Sequence, residues 1–390
     1  MARRLLPVVA CVAVFYAIFV PLRLVQHGTL WFERIGREFV QTAHTSSYIS
    51  SLRWDTAVGY DGKYYLALAA DPAHARDYMP GKAGIVYSRV GYPLVSFVAA
   101  GGSRSALPAA MLAVNVAAVL AGTLALAAWL VRRGLSPWFA ALYGLYPGLI
   151  FAVFHDLTEP LAFGLVAAGF LLLTEQTPRR VAGAAAIFAL AALTRETTVP
   201  FALAAAASVA VTRPHPRARA ALRGALFAVA TCAPLLVWRA LVGAYTHETT
   251  QERSHTPQWY IPFHGLWTWR PLDGEHRLIV LTIVLPALVL AVGALVLLVR
   301  RRAVIPAALV VANVLLVVVY LPKTVYVDYE STSRAVIGVL VAALYCLPAL
   351  RPRAGALRVA LGVEAFAWSL AWYLLAAWKY GLPTIDRLTG

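Results

Sequence analysis

Residues 107–130, LPAAMLAVNVAAVLAGTLALAAWL, carry no charged side chain over a length that can cross a bilayer. A transmembrane helix needs about 20 predominantly apolar residues. Similar runs recur along the chain, which has 390 residues, 61% of them apolar and 13% charged. Soluble domains average about 45–50% apolar and about 25% charged residues. With a mean hydropathy of +0.70, the sequence predicts an all-α polytopic membrane protein.

The apolar runs predict about eleven transmembrane helices. These lie at residues 5–25, 107–131, 136–154, 157–174, 180–194, 197–212, 219–243, 278–299, 303–322, 333–350 and 355–378. The first run follows a basic start but has no small-residue cleavage site after it, so we interpret it as an uncleaved helix. Residues 1–390 are therefore predicted to form a single integral-membrane domain.

Arginine is concentrated in alternate connections between these runs. The clusters are Arg3-Arg4, Arg132-Arg133, Arg179-Arg180, and the segments 213–223, 300–302 and 351–358. By the positive-inside rule these connections and the N-terminus face the cytoplasm. Almost all acidic residues fall in the other, extracytoplasmic connections. The net charge of +16 is thereby explained, and without a basic-aromatic module we do not predict a nucleic-acid partner.

Two extracytoplasmic segments are long, residues 26–106 and residues 245–277. Within the first, residues 85–102 are apolar enough to span, but a span there would place Arg132-Arg133 outside. We therefore predict an interfacial or re-entrant helix. The second segment is rich in Trp, Pro and His, which suits either an aromatic belt at the membrane surface or a lid over a lipid substrate.

Cysteine and histidine give no sign of a metal site. The three cysteines lie inside apolar runs and predict neither a disulfide nor a metal centre; they are Cys11, Cys232 and Cys346. The outward histidines match no ligand spacing and are interpreted as interfacial or sugar-contacting; they are His155, His247, His255 and His264. No cofactor is predicted.

The most informative segment is residues 52–72, LRWDTAVGYDGKYYLALAADP. The alanine- and leucine-rich part predicts a short helix beginning near Asp61 and Gly62, where free backbone N–H groups could hold a carboxylate. A purely structural N-cap is one interpretation of Asp61. The surrounding tyrosines, the membrane surface and a second acid at Asp55 favour a functional site instead.

Several short motifs resemble those of the glycosyltransferase-C superfamily. Residues 60–69, YDGKYYLALA, followed by Asp71-Pro72, are similar to the aspartate-glycine-x-aromatic-tyrosine motif of its bacterial members. Arg53-Trp54-Asp55 partly resembles the Trp-Asp motif of the GPI-type mannosyltransferases. Further elements fit the same superfamily: YSR at residues 87–89 before YPL at 92–94, DLTEPL at 156–161, and LTRE at 193–196.

The resemblance implies a multispanning enzyme that takes a sugar from a polyprenyl-phosphate donor at the extracytoplasmic face of a bacterial cytoplasmic membrane. Inverting transfer, with mannose as the expected sugar, would go to a hydroxyl of a glycolipid, polysaccharide or protein acceptor. Asp61 would be the general base. Asp55 competes with it, whereas family members usually have one dominant acid. Some relatives use a divalent ion, which leaves metal use open without predicting it.

Four outward cations are predicted to bind the donor phosphate: Arg89, Arg195, Lys323 and Arg334. Substrate contacts are predicted for Tyr60, Tyr64, Tyr65, His155, Glu159, Glu196, Tyr329 and Glu330. Structural alternatives stay open for several of them. Arg195 could pair with Glu159 or Glu196, and Arg334 with Glu330, while Glu159 with Pro160 also suits the first turn of a helix.

Two other functions compete with sugar transfer. A transporter or flippase of a lipid-linked saccharide should have inverted repeats and broken helices around a midplane site. The sequence has no convincing internal repeat, and its charge gathers at one face, which favours chemistry. A non-catalytic scaffold subunit is the third alternative, and the clustering of acidic residues argues against it only modestly. The acceptor, the prenyl chain length and the oligomeric state are open.

Overall fold

The computed structural model describes residues 2–42, 46–54, 59–211, 216–248, 261–269 and 271–349. Within these ranges every regular element is helical and no strand occurs, so the all-α prediction is confirmed there. The chain divides into two compact units. The first comprises Met1–Leu145 and Leu149–Arg253, and the second Tyr146–Gly148 and Ser254–Gly390.

Nineteen α-helices run through the described ranges. The first six are α1 (Ala2–His27), α2 (Arg37–Thr42), α3 (Ser47–Ser50), α4 (Gly62–Ala70), α5 (Ala83–Ser88) and α6 (Gly91–Ala99). The next seven are α7 (Leu107–Arg132), α8 (Ala141–Gly144), α9 (Pro147–Phe154), α10 (Glu159–Leu172), α11 (Pro178–Thr194), α12 (Val199–Val211) and α13 (Arg217–Thr246). The last six are α14 (His264–Trp267), α15 (Gly274–Ile279), α16 (Leu285–Val299), α17 (Val304–Val314), α18 (Tyr329–Ala335) and α19 (Ile337–Cys346).

Shorter helical turns connect some of these helices. The 3₁₀ turns are Thr29–Trp31, Ala75–Tyr78, Arg104–Ala106, Pro137–Ala140 and Glu196–Thr198. Two π-helical turns, Val280–Val284 and Leu315–Val319, continue α15 into α16 and extend α17.

Small residues let the helices of the first unit approach closely. In that unit α7 packs against α10, α6 and α1, and α11 packs against α10 and α13. An added Cβ at Gly164 would lie 2.6 Å from the carbonyl oxygen of Ala118, and one at Gly122 would lie 2.9 Å from the Cα of Gly164. Membrane helices commonly pack through such small residues because association depends on close van der Waals contact.

Four helical segments are long and apolar enough to cross a membrane: Arg3–His27, Arg104–Arg132, Arg217–Thr246 and Gly274–Val299. Two bent pairs bring the number to six if each is one span: Pro137–Gly144 with Pro147–Phe154, and Tyr329–Ala335 with Ile337–Ala349. Shorter apolar helices cover Glu159–Leu172, Glu196–Val211 and Val304–Val319. The described part of the chain thus has four to six span candidates, which fits a membrane protein.

Helix α13 exposes a large apolar surface, which is unfavourable in water. Five large aliphatic side chains of this helix are 58–66% exposed, namely Leu222, Leu226, Val229, Leu236 and Val237. A contiguous apolar face of this kind is expected where lipid replaces water.

The predictions for residues 85–102 and 245–277 can be compared with the structure. Residues 85–102 form parts of α5 and α6, helices of six and nine residues. At about 1.5 Å per residue, neither is long enough to cross a bilayer core of about 30 Å. Of residues 245–277, the described part holds α14 and the start of α15. The run at 355–378 lies outside the described residues.

Candidate functional site

The Asp61 motif is held in place by two glycines. Gly59 has φ +76°, and the Tyr60 N–H next to it donates to the Arg34 carbonyl at 2.9 Å. A Cβ at Gly62 would overlap the His155 carbonyl oxygen and lie 3.1 Å from the Glu33 Cα. Because both positions exclude a side chain, the backbone around Asp61 lies directly against its neighbours.

Asp61 occupies the N-cap position of α4, as the sequence predicts, but its carboxylate makes no capping hydrogen bond. The expectation that backbone N–H groups hold this carboxylate is therefore wrong. Instead Asp61 Oδ1 lies 3.7 Å from Lys82 Nζ in a solvent-facing ion pair. The side chain of Asp61 is 38% exposed, so its carboxylate is accessible to solvent.

Two lysines flank Tyr64, one turn into α4. The ammonium groups of Lys63 and Lys82 each lie 5.0 Å from the centre of its ring. Burial, followed by the charge of Lys82, lowers the pKa of Lys63. Burial also raises the pKa of Tyr64, although Lys82 opposes that shift. The arrangement places two cations and a phenol beside the Asp61 carboxylate.

Sequence reasoning did not select either lysine as a site residue. Lys63 stands inside the quoted motif and could have been chosen for that reason. Lys82 reaches Asp61 only through the fold of the chain between α4 and α5, and no sequence pattern marks it.

Aromatic packing connects Tyr60 and His155, which the sequence assigned to substrate binding. The Tyr60 ring lies 5.6 Å from that of Phe151 and 4.8 Å from that of His155, edge-on to both. The His155 ring stacks on Phe151, and its Nδ1 lies 3.0 Å from the Phe151 carbonyl oxygen. These two predicted residues are thus brought together next to Asp61.

Arg89, predicted to bind phosphate, is bound to a carboxylate. Its Nε donates to Glu196 Oε2 at 3.0 Å and its Nη2 to Glu196 Oε1 at 2.6 Å. Nη1 of Arg89 donates to the Tyr65 hydroxyl at 3.3 Å, and Arg239 approaches Glu196 at 3.9 Å. Burial alone would lower the pKa of Arg89, but the adjacent Glu196 raises it well above its usual range. Arg89, Tyr65 and Glu196 form one network.

Arg195 forms a second buried ion pair, which is the structural alternative stated above. Its Nη1 lies 3.1 Å from Glu159 Oε1 and donates to Thr158 Oγ1, also at 3.1 Å. Glu159 is fully buried in the first turn of α10, with Pro160 beside it. Both Glu159 and Glu196 therefore already neutralise arginines, and a phosphate would have to displace a carboxylate from Arg89 or Arg195.

The remaining predicted residues that are described belong to the second unit. Lys323 Nζ lies 4.8 Å from the centre of the Trp269 ring, and the Tyr329 N–H donates to Glu275 Oε1 at 2.9 Å. Glu330 is buried within α18, and Arg334 lies in the last turn of the same helix. Asp55 is outside the described residues.

Neither possible metal ligands nor similarity to known proteins assigns a role to any further residue. In the described ranges, no three His, Cys, Asp or Glu side chains gather to hold a metal ion. No family model matches the chain, and no curated protein or solved structure matches it. The superfamily and the activity are accordingly matters for proposal.

Proposed function

We propose that the protein is an extracytoplasmic membrane glycosyltransferase of the glycosyltransferase-C superfamily. It transfers a sugar, expected to be mannose, from a polyprenyl phosphate to a hydroxyl of a glycolipid, polysaccharide or protein. The observation that supports this best is the solvent-facing Asp61 carboxylate, 3.7 Å from the Lys82 ammonium. Sugar transfer from a lipid phosphate needs a base and positive charge within the same small space.

The reaction follows from those two needs. The acceptor hydroxyl gives its proton to the Asp61 carboxylate while its oxygen forms a bond to C1 of the sugar. The bond between C1 and the phosphate oxygen breaks, and the electron pair leaves with the polyprenyl phosphate. One displacement at C1 inverts the anomeric centre. A phosphate leaves without a proton from a general acid, which is why one carboxylate is sufficient.

Lys82 and Lys63 are the cations we assign to the leaving phosphate. Both lie beside Tyr64, close to Asp61, and Lys82 keeps a 54% exposed side chain that can turn towards a ligand. An ammonium acts on phosphate as a mobile point charge. Arg89 and Arg195 remain predicted phosphate ligands that would exchange Glu196 and Glu159 for the donor. Lys323 and Arg334 also remain predictions.

The membrane arrangement belongs to the same proposal. About eleven spans would place the N-terminus in the cytoplasm and residues 26–106, with Asp61, at the extracytoplasmic face of a bacterial cytoplasmic membrane. The bent helix pairs and shorter apolar helices would then be broken or tilted spans, which membrane proteins tolerate where neighbouring protein satisfies the backbone. The prenyl chain of the donor would enter from the bilayer.

Replacement of Asp61 by asparagine tests the assignment of the base. Purified protein is supplied with polyprenyl-phosphate mannose and membrane glycolipid acceptors, and transfer is followed by the mass of the product. Asp61→Asn should lower kcat by about 10²–10⁴, the usual contribution of a general base. Donor binding should persist, because the amide retains the size of the carboxylate.

Asp77→Asn is the matched control. Asp77 lies in the same segment, is 45% exposed and pairs with Arg76 at 3.6 Å, much as Asp61 pairs with Lys82. It should keep wild-type activity. Normal turnover by Asp61→Asn with inactive Asp55→Asn would move the base to Asp55. Transport of the lipid-linked sugar without any transfer product would refute the enzyme and favour a transporter.

A further inference from the structure

Two acidic side chains, those of Glu33 and Asp156, are fully buried near the Asp61 motif. Glu33 lies in the turns that follow α1, and Asp156 lies between α9 and α10 with a left-handed backbone, φ 45°. Both side chains have no solvent exposure. No ion pair in the described part of the chain includes either carboxyl group. Glu33 was not singled out from the sequence.

Asp156 accepts two side-chain hydrogen bonds, both at the same carboxyl oxygen. Asp156 Oδ1 accepts from Tyr92 Oη and from Asn115 Nδ2, both at 3.2 Å. The single Tyr92 hydroxyl proton is also within reach of the Met111 carbonyl, at 3.1 Å. In the described part of the chain, Asp156 Oδ2 and both oxygens of Glu33 have no hydrogen-bond partner of good geometry. The backbones of Glu33 and of His155, the residue before Asp156, meet at Gly62, and the two carboxyl groups lie close enough for each to affect the charge of the other.

Two carboxylates cannot both be ionised in one dry site, because each opposes the charge of the other. Burial and then the proximity of Asp156 raise the pKa of Glu33 well above its usual range. Burial raises the pKa of Asp156 to about 7, against the opposing effect of the hydrogen bonds from Asn115 and Tyr92. Such a pair titrates as a unit, and one proton serves both groups.

The pair is connected to Asp61 through the backbone. A side chain added at Gly62 would collide with the Cα and carbonyl oxygen of Glu33. It would also collide with the carbonyl oxygen of His155, the residue before Asp156. Asp61 immediately precedes Gly62. A change in the separation of the two acids would therefore move the surfaces against which the Asp61 turn is packed.

We propose that Glu33 and Asp156 share one proton and that the resulting hydrogen-bonded pair positions the Asp61–Gly62 turn. They are positioning residues, since neither side chain reaches solvent or a substrate. In the described part of the chain, the titratable and polar groups that interact with the pair are Tyr48, Tyr92 and Asn115. The positioning of a catalytic base rests on the proposed function, but the shared proton does not.

The sign of the pH effect follows from the raised pKa values. In the unfolded chain both acids lose their protons at about pH 4, whereas the folded protein still holds one proton above that pH. The folded state therefore binds more protons, and stability falls as pH rises above about 4 until the pair is fully ionised. One retained proton corresponds to a tenfold change in the unfolding equilibrium per pH unit.

Glu33→Gln tests the shared proton without needing any substrate. The glutamine amide can donate to Asp156 permanently, so the gain in melting temperature of this variant over wild type should grow from about pH 5 to about pH 8. The infrared band of a protonated carboxyl group, present in wild type at about pH 8, should disappear in the variant. Glu38→Gln is the control, because Glu38 is an exposed acid of the same segment.

Three results would refute the sharing of a proton. The melting temperatures of wild type and Glu33→Gln could depend equally on pH, or the infrared carboxyl band could survive in the variant. The third is a loss of wild-type stability when a chelator is added. The last would show that a bound cation neutralises the pair. The positioning role is tested separately by transfer kinetics. Glu33→Ala should lower kcat, and Glu33→Gln should recover most of the loss; two equally inactive variants would refute positioning through this hydrogen bond.

Discussion

Replacement of Gly59 by alanine tests how the backbone before Asp61 is built. Gly59 has φ +76°, and an added Cβ would overlap the Arg34 carbonyl oxygen and lie 2.6 Å from the Gly36 nitrogen. Gly81 offers a comparison in the same region of the chain. Its φ is +72°, but an added Cβ there would meet nothing within 4 Å. The two positions share a positive φ and differ in the collision.

The expected magnitudes follow from that difference. A left-handed backbone costs an alanine about 1–2 kcal/mol at either position. Overpacking adds about 1–3 kcal/mol, and only at Gly59, where the obstructing atoms are backbone and cannot rotate away. We therefore expect a loss of about 1–2 kcal/mol for Gly81→Ala and about 2–5 kcal/mol for Gly59→Ala.

Thermal unfolding in detergent, followed by tryptophan fluorescence at one fixed scan rate, gives the comparison. A fixed rate is necessary because membrane proteins often unfold irreversibly. Gly59→Ala should also reduce sugar transfer beyond its effect on stability, since relief of the collision moves the turn that carries Asp61. Equal losses of stability in the two variants, or a larger loss for Gly81→Ala, would refute the packing described around Gly59.

Two further predictions concern the charged groups. Lys82→Met should change the free energy of unfolding by no more than about 1 kcal/mol, because the Asp61–Lys82 pair is exposed. The same variant should lower kcat about 10–100-fold, equivalent to about 1.4–2.8 kcal/mol, with partial recovery in Lys82→Arg; unchanged kinetics would remove Lys82 from the site. Arg195→Met should destabilise the protein by about 3–5 kcal/mol, because it leaves Glu159 buried without its cation. Adding Glu159→Gln should restore much of that loss in thermal unfolding, and additive losses would contradict the pairing.

The positions of helices were largely readable from apolar runs, because a span must be both long and uncharged. The run at 107–131 became α7, and the run at 219–243 became α13, each within a few residues. Whether an apolar run forms one continuous helix was harder to predict. The run at 136–154 is interrupted before Pro147, where proline starts a new helix and cannot donate to the preceding turn. Hydropathy alone carries no signal for such a break.

The site was predictable where the contacts are local and unpredictable where they are not. The start of α4 at Gly62 follows from the sequence around Asp61, and the Arg195–Glu159 pair was among the stated alternatives. Lys82 meets Asp61, and Glu33 meets the backbone at Gly62, only through tertiary folding. No periodicity of 2 or 3.6 residues encodes such a meeting, so sequence reasoning missed both.

The acids in the family-like motifs differ in what neutralises them, and this difference supports the choice of Asp61. Glu159 and Glu196 are bound by buried arginines, and accepting a proton would forfeit those ion pairs. Asp156 is sealed from solvent beside Glu33 and has no route to an acceptor. Asp61 alone among these four combines solvent access with an exposed lysine partner. A general base must take a proton from the acceptor alcohol and return it to water in each cycle. A buried carboxylate bound by arginine would lose its ion pair on protonation, at a large cost in free energy.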